Sequence, residues 1–107
     1  MMLGISINRV QGHSMSPALP DNSYAIFHRF FRVQNLKVKD VVKVEHPKFG
    51  LLVKRIKFID RNGFIWLEGL DPHSISSMEM GPIKSQHILA KLAKVFAPVI
   101  QIKTQLQ

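Results

Sequence analysis

Apolar and polar positions along this chain change in short bursts. Ser23 to His28, Val41 to Glu45, Leu51 to Asp60 and Phe64 to Glu68 are rich in β-branched, aromatic and aliphatic residues. Turn-forming residues separate them: Gly12 through Pro20, Asp21-Asn22, His46-Pro47, Gly50, Asn62-Gly63, Gly69, Asp71-Pro72 and Gly81-Pro82. Short apolar runs between frequent turn signals predict a mostly β domain with little helix. The clearest local element is a hairpin of Leu51–Asp60 with Phe64–Glu68, turning at Asn62-Gly63 in a type I′ turn with both residues at positive φ. One stretch reads differently: Ile88, Leu89, Leu92, Val95, Phe96, Val99 and Ile100 fall on an i, i+3, i+4 stripe, which predicts a helix. It lacks a good N-cap and contains Pro98.

The hairpin strand carries the first candidate for chemistry. Strand side chains alternate between faces, so Leu52, Lys54, Ile56 and Phe58 are expected on one side and Val53, Arg55, Lys57 and Ile59 on the other. A lysine among three large apolar neighbours loses hydration, and its pKa falls from about 10.4 towards neutrality. A free amine of that kind can act as a general base. The alternative is a lysine that snorkels, its stem on apolar surface and its ammonium in water.

The second candidate is the serine in Gly12-His13-Ser14-Met15-Ser16-Pro17. A nucleophilic serine needs an irregular backbone that exposes its oxygen and aims an amide at the developing oxyanion. A loop serine beside Gly and Pro is also an ordinary turn hydroxyl. His13 makes a poor base for Ser14, because adjacent side chains in an extended segment point apart. The Gly-x-Ser-x-Gly elbow is missing, since Ser16 occupies its last position.

Length and composition narrow the setting. At 107 residues the chain has room for one domain, spanning 1–107. Fifteen Lys and Arg against seven Asp and Glu leave a net charge of +8, which favours anionic partners without choosing among nucleic acid, lipid and acidic protein. The absence of cysteine excludes disulfides, thiolate zinc sites and a cysteine nucleophile. The five histidines have no metal-ligand spacing, so no metal and no cofactor is expected. No apolar run reaches the roughly 18 residues of a spanning helix, and the N-terminus lacks a signal-peptide pattern, so a cytoplasmic protein is expected.

Taken in order, several segments resemble one family. Val10-Gln11-Gly12-His13-Ser14-Met15-Ser16-Pro17 resembles the Ser-Met-x-Pro box of type I signal peptidases and their relatives. Lys39-Asp40-Val41-Val42, His46-Pro47 and Leu52-Val53-Lys54-Arg55-Ile56 are similar to the Gly-Asp-Val-Val segment and the Val-Lys-Arg-Ile box. Leu67 to Ser74 and Met80-Gly81-Pro82-Ile83 are similar to the third box. The likeness runs from about Arg9 to Val95 and is strongest to small members without a membrane anchor, such as nickel-type superoxide dismutase maturation proteases. The self-cleaving domains of SOS-type repressors are similar at greater distance.

This resemblance implies a Ser/Lys dyad, with Ser14 as nucleophile, Lys54 as base and Ser74 orienting the amine. It implies backbone oxyanion donors around Gly12, where many relatives carry a hydroxyl, and a first substrate pocket lined by Met15 and Pro17. The implied fold consists of antiparallel sheets or a partly open barrel, with a strand over Ile88–Val95 in place of the helix. The implied activity is removal of a leader or propeptide from a precursor protein with an extended N-terminal leader. The third box departs from the family: Gly69-Leu70-Asp71 stands where relatives have Gly-Asp-Asn, and Ser74 to Met78 where they have Ser-x-Asp-Ser-Arg. Either other groups brace the site, or the enzyme is slow or inactive and serves as a peptide-binding scaffold.

Phe27-His28-Arg29-Phe30-Phe31-Arg32 reads either as an exposed aromatic and basic patch for a membrane surface or partner, or as a segment with one or two core phenylalanines. The patch and the net charge motivate the rival function, a basic nucleic-acid-binding β domain. No helix-turn-helix or aromatic RNA-binding motif is apparent, and nucleic acid is not the expected partner.

Overall fold

The computed structural model describes residues 4–12, 15–71 and 77–96. Seven antiparallel strands form one sheet: β1 (Ile5–Arg9), β2 (Tyr24–His28), β3 (Val41–His46), β4 (Gly50–Ile59), β5 (Ile65–Glu68), β6 (Pro82–Ile83) and β7 (Ile88–Phe96). Their order is β1-β2-β7-β3-β4-β5-β6. The expectation of a mostly β antiparallel fold holds, as a single sheet with β1 and β6 at its edges. A four-residue helix, α1 (Ser77–Met80), and short 3-10 turns at Val33–Asn35 and Ser85–His87 complete the described elements.

Alternation builds two cores. On β3, Val42 and Val44 are fully buried, and they join Ile56, Ile65, Leu67, Ile83 and Ile88 in one cluster. A second cluster gathers Val10, Leu19, Ala25, Phe27, Leu70 and Ala90, with Val41 and Val53 packed against it. Since Val41 and Val42 are sequence neighbours on one strand, the sheet is covered on both faces.

The segment from Ile88 is a strand, as the family resemblance implies, and the helical reading is corrected. Ile26 pairs with Lys94 and Phe27 with Leu92, so Ala93 is an extra residue in the ladder. This bulge places Leu92 and Val95, three residues apart, against the same cluster. Lys43 pairs with Ala90 and Val44 with Ile88, which leaves Leu89 as a second extra residue. Two bulges four residues apart turn a period of two into an apparent helical one.

The β4–β5 hairpin forms where expected, but its turn differs. Ile59 pairs with Ile65, and Gly63 has φ +86° while Asn62 is not at positive φ. The loop therefore belongs to the three-residue class ending in a left-handed glycine. Asp60 explains the choice: its carboxylate accepts from the amides of Asn62 and Phe64 at 2.9 and 3.0 Å and from Trp66 Nε1 at 3.1 Å. These donors, the Trp66 bond foremost, hold the Asp60 carboxyl below its ordinary pKa.

His46 locks the far end of β3. Its Nδ1 accepts from the amides of Lys48 and Phe49 at 3.0 and 3.2 Å, so the ring proton sits on Nε2 and donates to the Met80 carbonyl at 3.0 Å. His46→Ala removes all three bonds from a buried site and is expected to cost roughly 2–4 kcal/mol. A lowered urea midpoint at unchanged slope would show it, and an unchanged midpoint would refute it.

Candidate active site

Lys54 lies on β4 opposite Val42 and is 8% exposed. Leu52 and Ile56 flank it on the same face, as alternation predicts. Phe58 does not. Ile56 pairs with Leu67 and Phe58 with Trp66, so Lys57 is an extra residue and Phe58 turns to the opposite face. There it stacks on Trp66, with centroids 5.4 Å apart and planes 11° from parallel. Burial lowers the Lys54 pKa, and the Asp71 carboxylate partly offsets this by favouring the charged form.

A cleft of about 440 Å³ runs beside this strand, and Leu51, Leu52, Val53 and Lys54 are among its walls. Along 51–54 one edge of β4 pairs with β3, whereas pairing with β5 starts only at Arg55. The other edge of 51–54 thus meets no strand among the described residues. The Ile56 amide and carbonyl bond to Asp40 and Lys39 on the β3 side. By the alternation of an antiparallel ladder, Leu51 and Val53 direct their amides and carbonyls towards the unpaired edge.

The loop that follows β1 borders the same cleft. Val10 exchanges backbone bonds with Ser23 and Asn22 at 2.8 and 2.7 Å, which holds the loop's two ends together. Gly12 takes φ +84°, and its amide donates to Asp21 Oδ1 at 2.8 Å, so this donor is already engaged. Ser14 and Ser74, the expected nucleophile and its orienting partner, lie outside the described residues. Met15, next in sequence to Ser14, lines the cleft together with Lys54. Pro17 is exposed and is not among the cleft-lining residues. The structure therefore brings Met15 and Lys54 together and leaves Pro17 outside.

The two departures in the third box have physical counterparts. Leu70 is 5% exposed and packs in the second cluster, so it serves as core where relatives carry a charge. Met78 is 82% exposed. A different ion pair stands beside Lys54: Arg55 Nε donates to Glu68 Oε2 at 2.9 Å and ties β4 to the strand leading into Gly69-Leu70-Asp71.

A family model described as Peptidase S24-like matches residues 5–93. The chain belongs to the Peptidase S24-like family. The match covers most of the chain, and with the seven-stranded fold it establishes a peptidase-like domain. No curated protein matches the sequence. Among the described residues, no helix is long and apolar enough to cross a membrane.

Within this S24-like domain, sequence reasoning missed Asp71, whose carboxylate acts on Lys54, and Lys43, which lines the same cleft. Lys43 could have been found from its place between Val42 and Val44, since a cation alternating with core valines faces the other packed side. The 27–32 segment divides: Phe27 is core, Phe31 packs against the first cluster, and Phe30 is 70% exposed.

Proposed function

We propose that this S24-like domain is a serine endopeptidase in which Lys54 is the general base for Ser14 and Ser74 orients the lysine amine. Neutral Lys54 takes the proton from the Ser14 hydroxyl as its oxygen bonds to a peptide carbonyl carbon. The Ser14 amide helps to hold the oxyanion. The proton then passes to the leaving amine as the C–N bond breaks. Water attacks the acyl-serine by the same route in reverse and restores both side chains.

The observation that carries this reading is a buried lysine whose pKa is lowered by that burial, in a cleft shared with the residue after Ser14. The unpaired edge of 51–54 supports an extended peptide as substrate, because strand addition draws affinity from main-chain hydrogen bonds. The biological substrate in this reading is a cytoplasmic precursor with an extended N-terminal leader, and a nickel-type superoxide dismutase precursor is the first to try.

The test digests that precursor and a proteome-derived peptide library with the full chain and with Ser14→Ala. The variant is expected to lose roughly 10⁴-fold or more in rate with its circular dichroism unchanged. Undiminished cleavage by Ser14→Ala would overturn the assignment. Binding of peptides by the native chain without any cutting would make it an inactive scaffold.

A further inference from the structure

The cleft contains a cation that the proposed chemistry does not use. Lys43, on β3, points its ammonium across the sheet to β1, where it donates to Ser6 Oγ at 3.2 Å and Asn8 Oδ1 at 3.0 Å. It sits 4.6 Å from the centre of the Phe27 ring. Partial burial lowers its pKa. Among the described residues no carboxylate forms an ion pair with it; Glu68 pairs with Arg55 and Asp40 with Lys91.

A partly buried cation without a counter-charge is costly to hold. Here Ser6, Asn8 and the Phe27 ring hold it in place, and an ammonium with three donors has one left over after Ser6 and Asn8. Among the described residues the cleft lining includes the cations Arg9 and Lys43 and no Asp or Glu. Lys54 acts as a neutral base in the proposed chemistry and has the Asp71 carboxylate acting on it, so the field that favours an anion comes from Lys43 and Arg9. Met15, Leu19 and Leu70 line it too, and they are apolar.

We propose that Lys43, held by Ser6 and Asn8, forms an anion-accepting subsite that takes the side-chain carboxylate of a Glu or Asp in an extended peptide. The proposal deepens the peptidase reading, because it names a substrate feature of the same cleft. Lys43 lies opposite Val53 on β4 and Ala90 on β7, on the sheet face that also carries Phe27. An extended peptide presents alternate side chains to that face, at a spacing of roughly 7 Å. The acidic residue therefore shares its parity with the residue that enters the apolar part of the cleft.

The test uses C-terminally amidated, fluorescein-labelled octapeptides of Ala and Val in which one Glu is moved through every position, each with a Gln counterpart. Binding to full-length Ser14→Ala is read by fluorescence anisotropy. Glu at positions of one parity should bind about tenfold tighter than Gln, and the preference should shrink with added salt. Lys43→Gln should erase the preference and Lys43→Arg should keep it. Equal affinity of Glu and Gln peptides, or no binding by either, overturns the subsite; so does a preference that follows a free C-terminal carboxylate instead of the Glu position. Cutting by the native chain is scored separately. Glu-dependent binding without cutting retains the subsite and removes the peptidase, and cutting that ignores Glu does the reverse.

Discussion

Lys54→Met is expected to abolish peptide cleavage and, at neutral pH, to make the protein more stable. The loss of activity follows from removing the base: without it Ser14 has no group to take its proton, and a fall of roughly 10⁴-fold or more is expected. The gain in stability follows from the direction of the pKa shift. Burial disfavours the charged amine, so the folded-state pKa lies below 10.5. Below that folded value both states hold the proton, and the native state bears the full desolvation penalty. Between the folded value and 10.5 the unfolded chain binds a proton that the native chain does not, so stability rises with pH. Methionine never carries the penalty. The variant's advantage should therefore be largest below the folded-state pKa of Lys54 and shrink as pH rises from there towards 10.5. In the wild type, cleavage should accelerate with pH as Lys54 loses its proton. Thermal melts from pH 7 to 10 with matched rate profiles measure both effects. A lysine that merely packs would give no loss of rate, and a snorkelling one would give no gain in stability.

Phe27→Ala carries the largest expected stability effect. Phe27 is 2% exposed, packs in the second cluster and lies under the Lys43 ammonium. Truncating a buried phenylalanine typically costs about 3–5 kcal/mol, set against the roughly 5–15 kcal/mol that holds a small domain together. The variant should unfold at much lower urea concentration, or fail to fold at 25 °C. Phe30→Ala, three residues along and 70% exposed, should cost less than about 1 kcal/mol. Similar midpoints for the two variants would contradict the division of this segment into a core half and a surface half.

The site was legible in the sequence in proportion to how local its determinants are. Alternation alone put Lys54 between Leu52 and Ile56, and turn residues marked the hairpins. The ordered boxes around Ser14 and Lys54 pointed to the group of Ser/Lys peptidases that includes signal peptidases and SOS-type repressors. The S24-like match over 5–93 supports that group without singling out the maturation proteases. Phe58 was misplaced because the extra residue at Lys57 exists only as a mismatch against β5. The helical stripe from Ile88 misled for the same reason: its bulges at Leu89 and Ala93 are defined against β3 and β2.

The chain's own order of residues determined the mostly β character, the hairpin positions and the lysine held among aliphatic neighbours, because each depends on steric and apolar preferences within a few positions. Tertiary structure alone decided that 51–54 has an edge unpaired among the described residues, that Asp71 acts on Lys54 and that Lys43 reaches across to β1. Those features arise where segments distant in sequence meet, and the charge and hydrogen-bonding balance at such a meeting point belongs to the pair and not to either segment.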